Sequence, residues 1–263
     1  MPDVFLNGYR THYEDDDFSP GWRRSEVVLI QHGFGRNSAF WRHWVTRLAG
    51  DYRLIRRDLR GHGGSDNPVG LGWNFDALVG DLHDFVDALG LETVHLIGES
   101  TGGMLAAGFA HRFPDRLKSL TLCNAPTTIG PAGQAFFAGR HATWQDALAA
   151  LGARGWIEWL LSQPGTAVTD SVEERAWVVD QMARTSTATM IGYSRVISET
   201  DVAPLLPGID TPTLVLAPTR SAAAPLEGQR AIAAALPNGR LAVIDAKAHE
   251  VYWDRPDNRA DAR

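Results

Sequence analysis

The chain holds one cysteine, Cys123, among 263 residues. No disulfide can close within it, and a lone cysteine fits a reducing, cytoplasmic setting. Cys123 lies in the apolar run Leu120-Thr121-Leu122-Cys123, which reads as buried strand rather than as a nucleophile's surroundings. Basic residues are in the minority, with 25 Lys and Arg against 31 Asp and Glu and a formal net charge of −6. Without a basic patch, nucleic acid is excluded as a partner. No apolar run approaches the length of a membrane span. The start, MPDVFLNGYRTHYEDDD, lacks the basic and apolar regions of a signal peptide. His, Asp and Glu do not cluster at metal-ligand spacings, and one cysteine cannot build a thiolate site, so no metal or other cofactor is expected. Internal repeats, low-complexity tracts and a dinucleotide-type G-x-G-x-x-G are also missing.

What remains is globular. Hydrophobic residues make up 44% and charged residues 21%, enough apolar material for one domain, or one domain with an insertion. Asn7-Gly8 is a hairpin signal between Val4–Leu6 and Arg10–Tyr13, and the acidic stretch Glu14–Gly21 reads as a loop. Buried strands are expected at Glu26–Gln31, Tyr52–Arg56, Thr93–Ile97, Leu117–Cys123, Thr213–Ala217 and Leu241–Ile244. Helical spacing appears over Phe40–Leu48 and over Phe75–Leu89, where Phe75, Leu78, Val79, Leu82, Phe85, Val86 and Leu89 share a face. Strands alternating with helices predict a mostly parallel central sheet with helices on both faces, an α/β fold. The alternation breaks between about Pro126 and Pro212. That stretch is helix-like and aromatic, with Phe136, Phe137, Trp144, Trp156, Trp159, Trp177 and Tyr193, and reads as a helical insertion closing over the sheet.

Gly98-Glu99-Ser100-Thr101-Gly102 is the most informative segment. It leaves the strand Thr93–Ile97 and enters a helix over Gly103–Arg112. A serine at the apex of a strand–turn–helix is the setting of a nucleophile elbow, because small flanking residues let strand and helix approach closely and hold the hydroxyl above the sheet. Ser100 is therefore the candidate nucleophile.

The motifs follow a fixed order: His32-Gly33 after one strand, Asp58-x-Arg60-Gly61-x-Gly63-x-Ser65 after the next, Gly98-x-Ser100-x-Gly102 after the third, then Phe113-Pro114-Asp115-Arg116, and Ala248-His249 near the end. The chain resembles the α/β-hydrolase superfamily, specifically the compact capped hydrolases that include 3-oxoadipate enol-lactonases, C–C hydrolases, cofactor-free haloperoxidases and small carboxylesterases. The resemblance implies a hydrolase core over 1–125 and 213–263 and a helical cap over 126–212. It implies His249 as the general base, and an oxyanion hole from the backbone N–H groups of Phe34 and Thr101. His32 is expected to orient backbone and His62 to be structural. Trp144, Trp156, Trp159 and Phe136 are candidate substrate-pocket residues, as is Phe34. Arg140, Arg154, Arg184 and Arg195 are weighed for a substrate carboxylate against exposed helix positions.

Two departures stand out. Relatives place an Asp in the loop after the strand Thr213–Ala217; here Ser221 falls at that position, ahead of Pro225. A serine cannot hold an imidazolium charge as a carboxylate does. Asn124, at the end of the preceding strand, and Glu227, just beyond Pro225, are the other candidates for orienting His249. Relatives also carry a further helix after the histidine; here that helix is expected to be truncated, or the face covered by another element such as a second subunit of a homo-oligomer. The expected activity is hydrolysis of a small, partly apolar carboxylic ester or lactone through an acyl-enzyme. C–C hydrolysis, perhydrolysis, or slow-turnover ligand binding on a hydrolase scaffold are the alternatives. Dehalogenases and ester-forming epoxide hydrolases of this fold need Asp at the elbow, which Ser100 disfavours.

Overall fold

The computed structural model describes residues 2–22, 24–68, 72–166, 169–221, 223–246 and 249–254. Eight strands form one sheet: β1 (Asp3–Leu6), β2 (Tyr9–Asp16), β3 (Glu26–Gln31), β4 (Tyr52–Arg57), β5 (Val94–Glu99), β6 (Leu117–Cys123), β7 (Thr213–Pro218) and β8 (Gly239–Ile244). Their spatial order is β1-β2-β4-β3-β5-β6-β7-β8. The β1–β2 hairpin turns at Asn7 and Gly8, both with positive φ (50° and 84°), as that dipeptide favours. β2 pairs antiparallel with β4, and every later pairing is parallel. Helices α1 (Arg42–Leu48), α2 (Phe75–Ala88) and α3 (Thr101–Arg112) alternate with these strands. α2 starts at Asn74, whose side chain accepts the Ala77 N–H at 2.8 Å, and buries Leu78, Val79, Leu82, Phe85 and Val86.

Between β6 and β7 the chain forms α4 (Pro131–Ala138), α5 (Trp144–Leu160), α6 (Val172–Met182) and α7 (Thr187–Glu199). Side chains of Thr143, Ser171 and Ser186 cap the N-termini of α5, α6 and α7. The two stems of this segment are tied together where Thr128 bridges Asp201 and the Val202 N–H donates to the Thr127 carbonyl at 2.9 Å. After β7 come α8 (Leu226–Ala235), β8 and the short α9 (Val251–Asp254). None of the described helices is long and apolar enough to cross a membrane.

Three expectations are corrected. β2 continues through Asp16, into the acidic stretch expected to be loop. Its carboxylates are neutralised across the strand pair, Asp15 by Arg53 at 2.6 Å and Asp16 by Arg56 at 2.7 Å. The helix expected from Phe40 begins as a 3₁₀ turn over Ser38–Trp41, with α1 following from Arg42. The helix after the elbow begins at Thr101, two residues earlier than expected. The expected truncation of a helix after His249 falls largely on residues 255–263, outside the described residues.

All the loops expected to carry chemistry leave the carboxyl ends of β3, β5, β6, β7 and β8, where open parallel sheets place their ligands. The crossing there is tight. A Cβ on Gly98 would sit 2.6 Å from the Gly103 Cα, and one on Gly102 would meet the His32 carbonyl oxygen and lie 2.5 Å from that of Gln31. Backbone cannot yield as a flexible side chain can. Gly102→Ala is therefore expected to destabilise the fold by about 3 kcal/mol, measured by urea unfolding of the variant beside the parent.

Candidate active site

Ser100 is the N-cap residue of α3 and holds φ 52°, ψ −125°. A non-glycine residue at positive φ is uncommon and strained. The turn is fixed from both sides, since the Ser100 N–H donates to the Cys123 carbonyl at 3.0 Å and the Gly103 N–H donates back to the Ser100 carbonyl at 2.9 Å.

The loop after β3 lies against this turn. His32 spends both ring nitrogens on backbone: Nδ1–H donates to the Gly33 carbonyl at 2.8 Å, and Nε2 accepts the Leu59 N–H at 2.9 Å. Burial pushes its pKa well below the usual histidine value, so it stays neutral and locks the loop. His62 likewise donates from Nδ1 to the Arg60 carbonyl at 2.9 Å, and burial lowers its pKa to about 4. Both histidines sit where the sequence expected structural roles. Phe34 follows this loop, with its ring against Trp144, Trp156 and Tyr193 at centroid distances of 4.7, 5.7 and 5.8 Å. Among the described residues, the N–H groups of Phe34 and Thr101 have no acceptor within the chain. Tyr193 of α7 touches both residues, stacking on Phe34 and donating from its hydroxyl to Thr101 Oγ1 at 3.1 Å.

His249 is presented beyond β8. Its Nδ1 lies 3.0 Å from Ser221 Oγ and also contacts Asn124 Nδ2. Asn124 sits at the end of β6 with φ 51° and is fully buried. Its amide donates to the His249 carbonyl at 2.8 Å and to Ser221 Oγ at 3.3 Å. Ser221 Oγ also accepts the Ala224 N–H at 3.0 Å, a serine turn closing the loop. Glu227 is exposed in the first turn of α8, away from this cluster. Of the three candidates, the structure brings Ser221 and Asn124 to Nδ1 and leaves Glu227 out.

A charged cluster that the sequence reading missed lies around the same ring. Glu99 is 2% exposed; its Oε2 accepts the Gly33 N–H at 2.7 Å and its Oε1 lies 3.9 Å from His249 Nε2. Burial raises its pKa to about 7, opposed by the nearby Arg36 charge. Arg36 pairs with Glu250, and both are buried. Burial lowers the His249 pKa, Glu250 raises it and Arg36 lowers it, with a net downward shift. The backbone beyond His249 is anchored by Tyr252, whose ring stacks on Trp41 at 4.2 Å and whose carbonyl accepts the Trp44 Nε1–H at 3.1 Å. The available signal was a carboxylate beside each of the two key residues, Glu99 before Ser100 and Glu250 after His249.

Ser100, Thr101, Phe34 and His249 line one cavity with about 80 Å³ of water-accessible space, walled by Phe136, Phe137, Trp144, Trp156, Ile129 and Met182. One water needs about 10–15 Å³ by that measure, so the space suits a short acyl group. Ser100 and His249 face this cavity without a hydrogen bond between them among the described residues, a spacing common before substrate closes a site. Trp144, Trp156 and Phe136 are where the sequence expected them. Trp159 is not; it packs over Gly139, where a Cβ would lie 2.6 Å from its Cζ2, and Phe137 takes a place on the wall instead. Among the arginines weighed, Arg154 pairs with Asp180 at 2.6 Å. Arg195 lines a separate open depression of about 540 Å³ with Trp73, Asn74 and Glu199. Arg140 and Arg184 do not line the cavity.

The chain is similar to known proteins over most of its length. Residues 26–256 match the family model described as alpha/beta hydrolase fold. Epoxide hydrolase 3 of Xenopus tropicalis is 37% identical over 121 residues, 46% of this chain. The match spans only about a third (32%) of that relative's length. The solved enol-lactonase from Burkholderia xenovorans LB400 superposes with a TM-score of 0.85 at 26% identity, over 97% of this chain and 95% of the other. The thermophilic esterase from Thermogutta terrifontis superposes with a TM-score of 0.83 at 24% identity, over 97% and 94%. Sheet order, the turn at Ser100 and the match over 26–256 agree that the chain belongs to the α/β-hydrolase fold family.

Proposed function

We propose that the protein is a serine hydrolase of small, uncharged carboxylic esters or lactones. One observation carries this reading: Ser100, at a positive-φ turn, shares an aromatic-walled cavity with His249, Phe34 and Thr101, and the N–H groups of the last two have no acceptor among the described residues. Ser100 Oγ attacks the substrate carbonyl as its proton passes to His249 Nε2. The two N–H groups receive the negative charge that develops on the carbonyl oxygen. Collapse of the tetrahedral intermediate releases the alcohol, which takes the proton back from Nε2, and leaves an acyl-enzyme. Water then repeats the cycle and frees the acid. The downward-shifted pKa of His249 keeps the ring neutral, and so able to accept a proton, at neutral pH.

Helices α4–α7 serve as the cap in this reading, on a core of 1–125 and 213–263. They supply the Trp144, Trp156, Phe136 and Phe137 wall. The uncharged substrate class follows from Arg36, the only cationic side chain other than His249 on the described cavity wall, being already paired with Glu250. The enol-lactonase and esterase among the similar structures fit the same chemistry. Serine at the elbow distinguishes this chain from ester-forming epoxide hydrolases. A second reading, ligand binding with slow turnover, is favoured by the neutral pair Ser221 and Asn124 at Nδ1, where the fold's usual carboxylate would stand.

Turnover of p-nitrophenyl acetate is expected to fall about 10³-fold or more in Ser100→Ala, with an organophosphate labelling the parent and not the variant. Equal background rates and no labelling of either protein would overturn the hydrolase reading. Ser221→Asp puts a carboxylate where Ala224 N–H, Asn124 Nδ2 and His249 Nδ1 converge; kcat is expected to rise about 10²-fold, part of the ~10⁴ that the triad acid is worth in serine proteases. Among p-nitrophenyl esters of equal length, a neutral acyl chain is expected to give at least about tenfold higher kcat/KM than one ending in a carboxylate, since the latter would meet Glu250 without a free cation.

A further inference from the structure

Four ionisable groups meet at one side of the cavity: Arg36, His249 and Glu250 on its wall, and Glu99 behind them. Arg36 and Glu250 pair directly, so their opposite influences on His249 offset one another. Among the described residues, the contact to His249 is the one ion-pair contact of Glu99. Its Oε2 is held by the Gly33 N–H at 2.7 Å, while Oε1 faces His249 Nε2 at 3.9 Å. With neutral His249 and ionised Glu99 the cluster carries one net negative charge; when His249 gains a proton it becomes neutral. On the far side of the ring, Nδ1 meets Ser221 and Asn124 among the described residues, neither of which bears charge.

We propose that Glu99 supplies the negative charge missing from the usual acid position, compensating the His249 imidazolium from its Nε2 side. This inference rests on the acyl-enzyme reading above. Glu99 does not line the cavity; it acts through His249 as a positioning residue. The Gly33 bond holds its carboxylate, and the loop approaches so closely that a Cβ on Gly33 would lie 2.9 Å from both the Glu99 carbonyl and Oε2. As Ser100 transfers its proton to Nε2, no proton moves to Glu99; the carboxylate acts by charge alone, and the proton returns to the leaving alcohol. The charged and titratable groups around Glu99 are Arg36, Glu250 and His249, with Cys123, Tyr193 and Tyr252 also within its field. Burial holds its pKa near 7, so ionisation of Glu99 falls within the working pH range. The charge that assists His249 is lost as pH drops below that value.

The test compares kcat/KM for p-nitrophenyl acetate across pH 5–9 in the parent, Glu99→Gln, Ser221→Asp and the double variant, with thermal melts confirming folding. Gln retains an acceptor for the Gly33 N–H and removes the charge. Glu99→Gln is expected to lower the plateau on the order of 10²-fold and to move the acid limb away from pH 7 toward lower pH. Ser221→Asp should recover more in the Gln background than in the parent, a non-additivity that a purely structural role would not produce. An unchanged plateau and limb, or equal recovery in both backgrounds, overturns the proposal. Should the Gln variant not fold, NMR titration of His249 in the Ser100→Ala protein decides. A titration step near pH 7 coupled to a carboxyl supports the assignment, and a simple single step refutes it. If the parent itself shows no Ser100-dependent turnover, the acyl-enzyme reading fails first, which separates the two failures.

Discussion

Three backbones converge where Ser100 projects, and the site depends on their closeness. The end of β5, the start of α3 and the loop after β3 approach so nearly that Gly98, Gly102 and Gly33 leave no room for a Cβ. A non-glycine residue in this region of φ/ψ space costs of order 1–3 kcal/mol, and it persists because neighbouring strands grip it: the Ser100 N–H is held by β6 at Cys123. The same crowding brings the Gly33 N–H to Glu99, while the Phe34 and Thr101 N–H groups find no acceptor among the described residues.

The electrostatics are arranged with equal economy. Burial alone would keep Glu99 protonated and His249 neutral at neutral pH, yet Arg36 supports the carboxylate while Glu250 supports the imidazolium. Opposed in this way, both groups remain within reach of a proton change. Histidines outside the cluster behave differently. His32 and His62 are held neutral by burial and use their Nδ1–H on backbone carbonyls, serving as rigid spacers rather than proton carriers.

Much of this was legible from residues whose chemistry dictates backbone shape. Asn7-Gly8, Gly98-x-Ser100-x-Gly102 and the period-3.6 face of α2 are local signals, and each lies where the sequence reading put it. The mixed sheet and the helical segment between β6 and β7 followed from their alternation. Less legible were features that depend on partners distant in the chain. Glu14–Asp16 looked like a loop because acidic residues disfavour strands; the compensating Arg53 and Arg56 stand about forty residues away on β4. Arg36 and Glu250 pair across 214 positions, a contact no local pattern encodes. Trp159 and Phe137 share helical spacing with the wall residues, but only the turn at Gly139 (φ 57°) and the bend of α5 at Gly152 (φ 69°) decide which ring faces the cavity.

Tyr193 connects the helical segment to the reactive turn. It stacks on Phe34 and donates to Thr101, so one side chain of α7 touches two residues that line the cavity. Phe34 in turn lies against Trp144 and Trp156 of α5. Evolutionary drift in these helices is therefore not free to reshape the pocket alone: a substitution that widens it also shifts the neighbours of the donors. If Phe34 and Thr101 act as proposed, substrate range and catalytic efficiency are mechanically linked through Tyr193, and a wider pocket would call for compensating changes near those two residues.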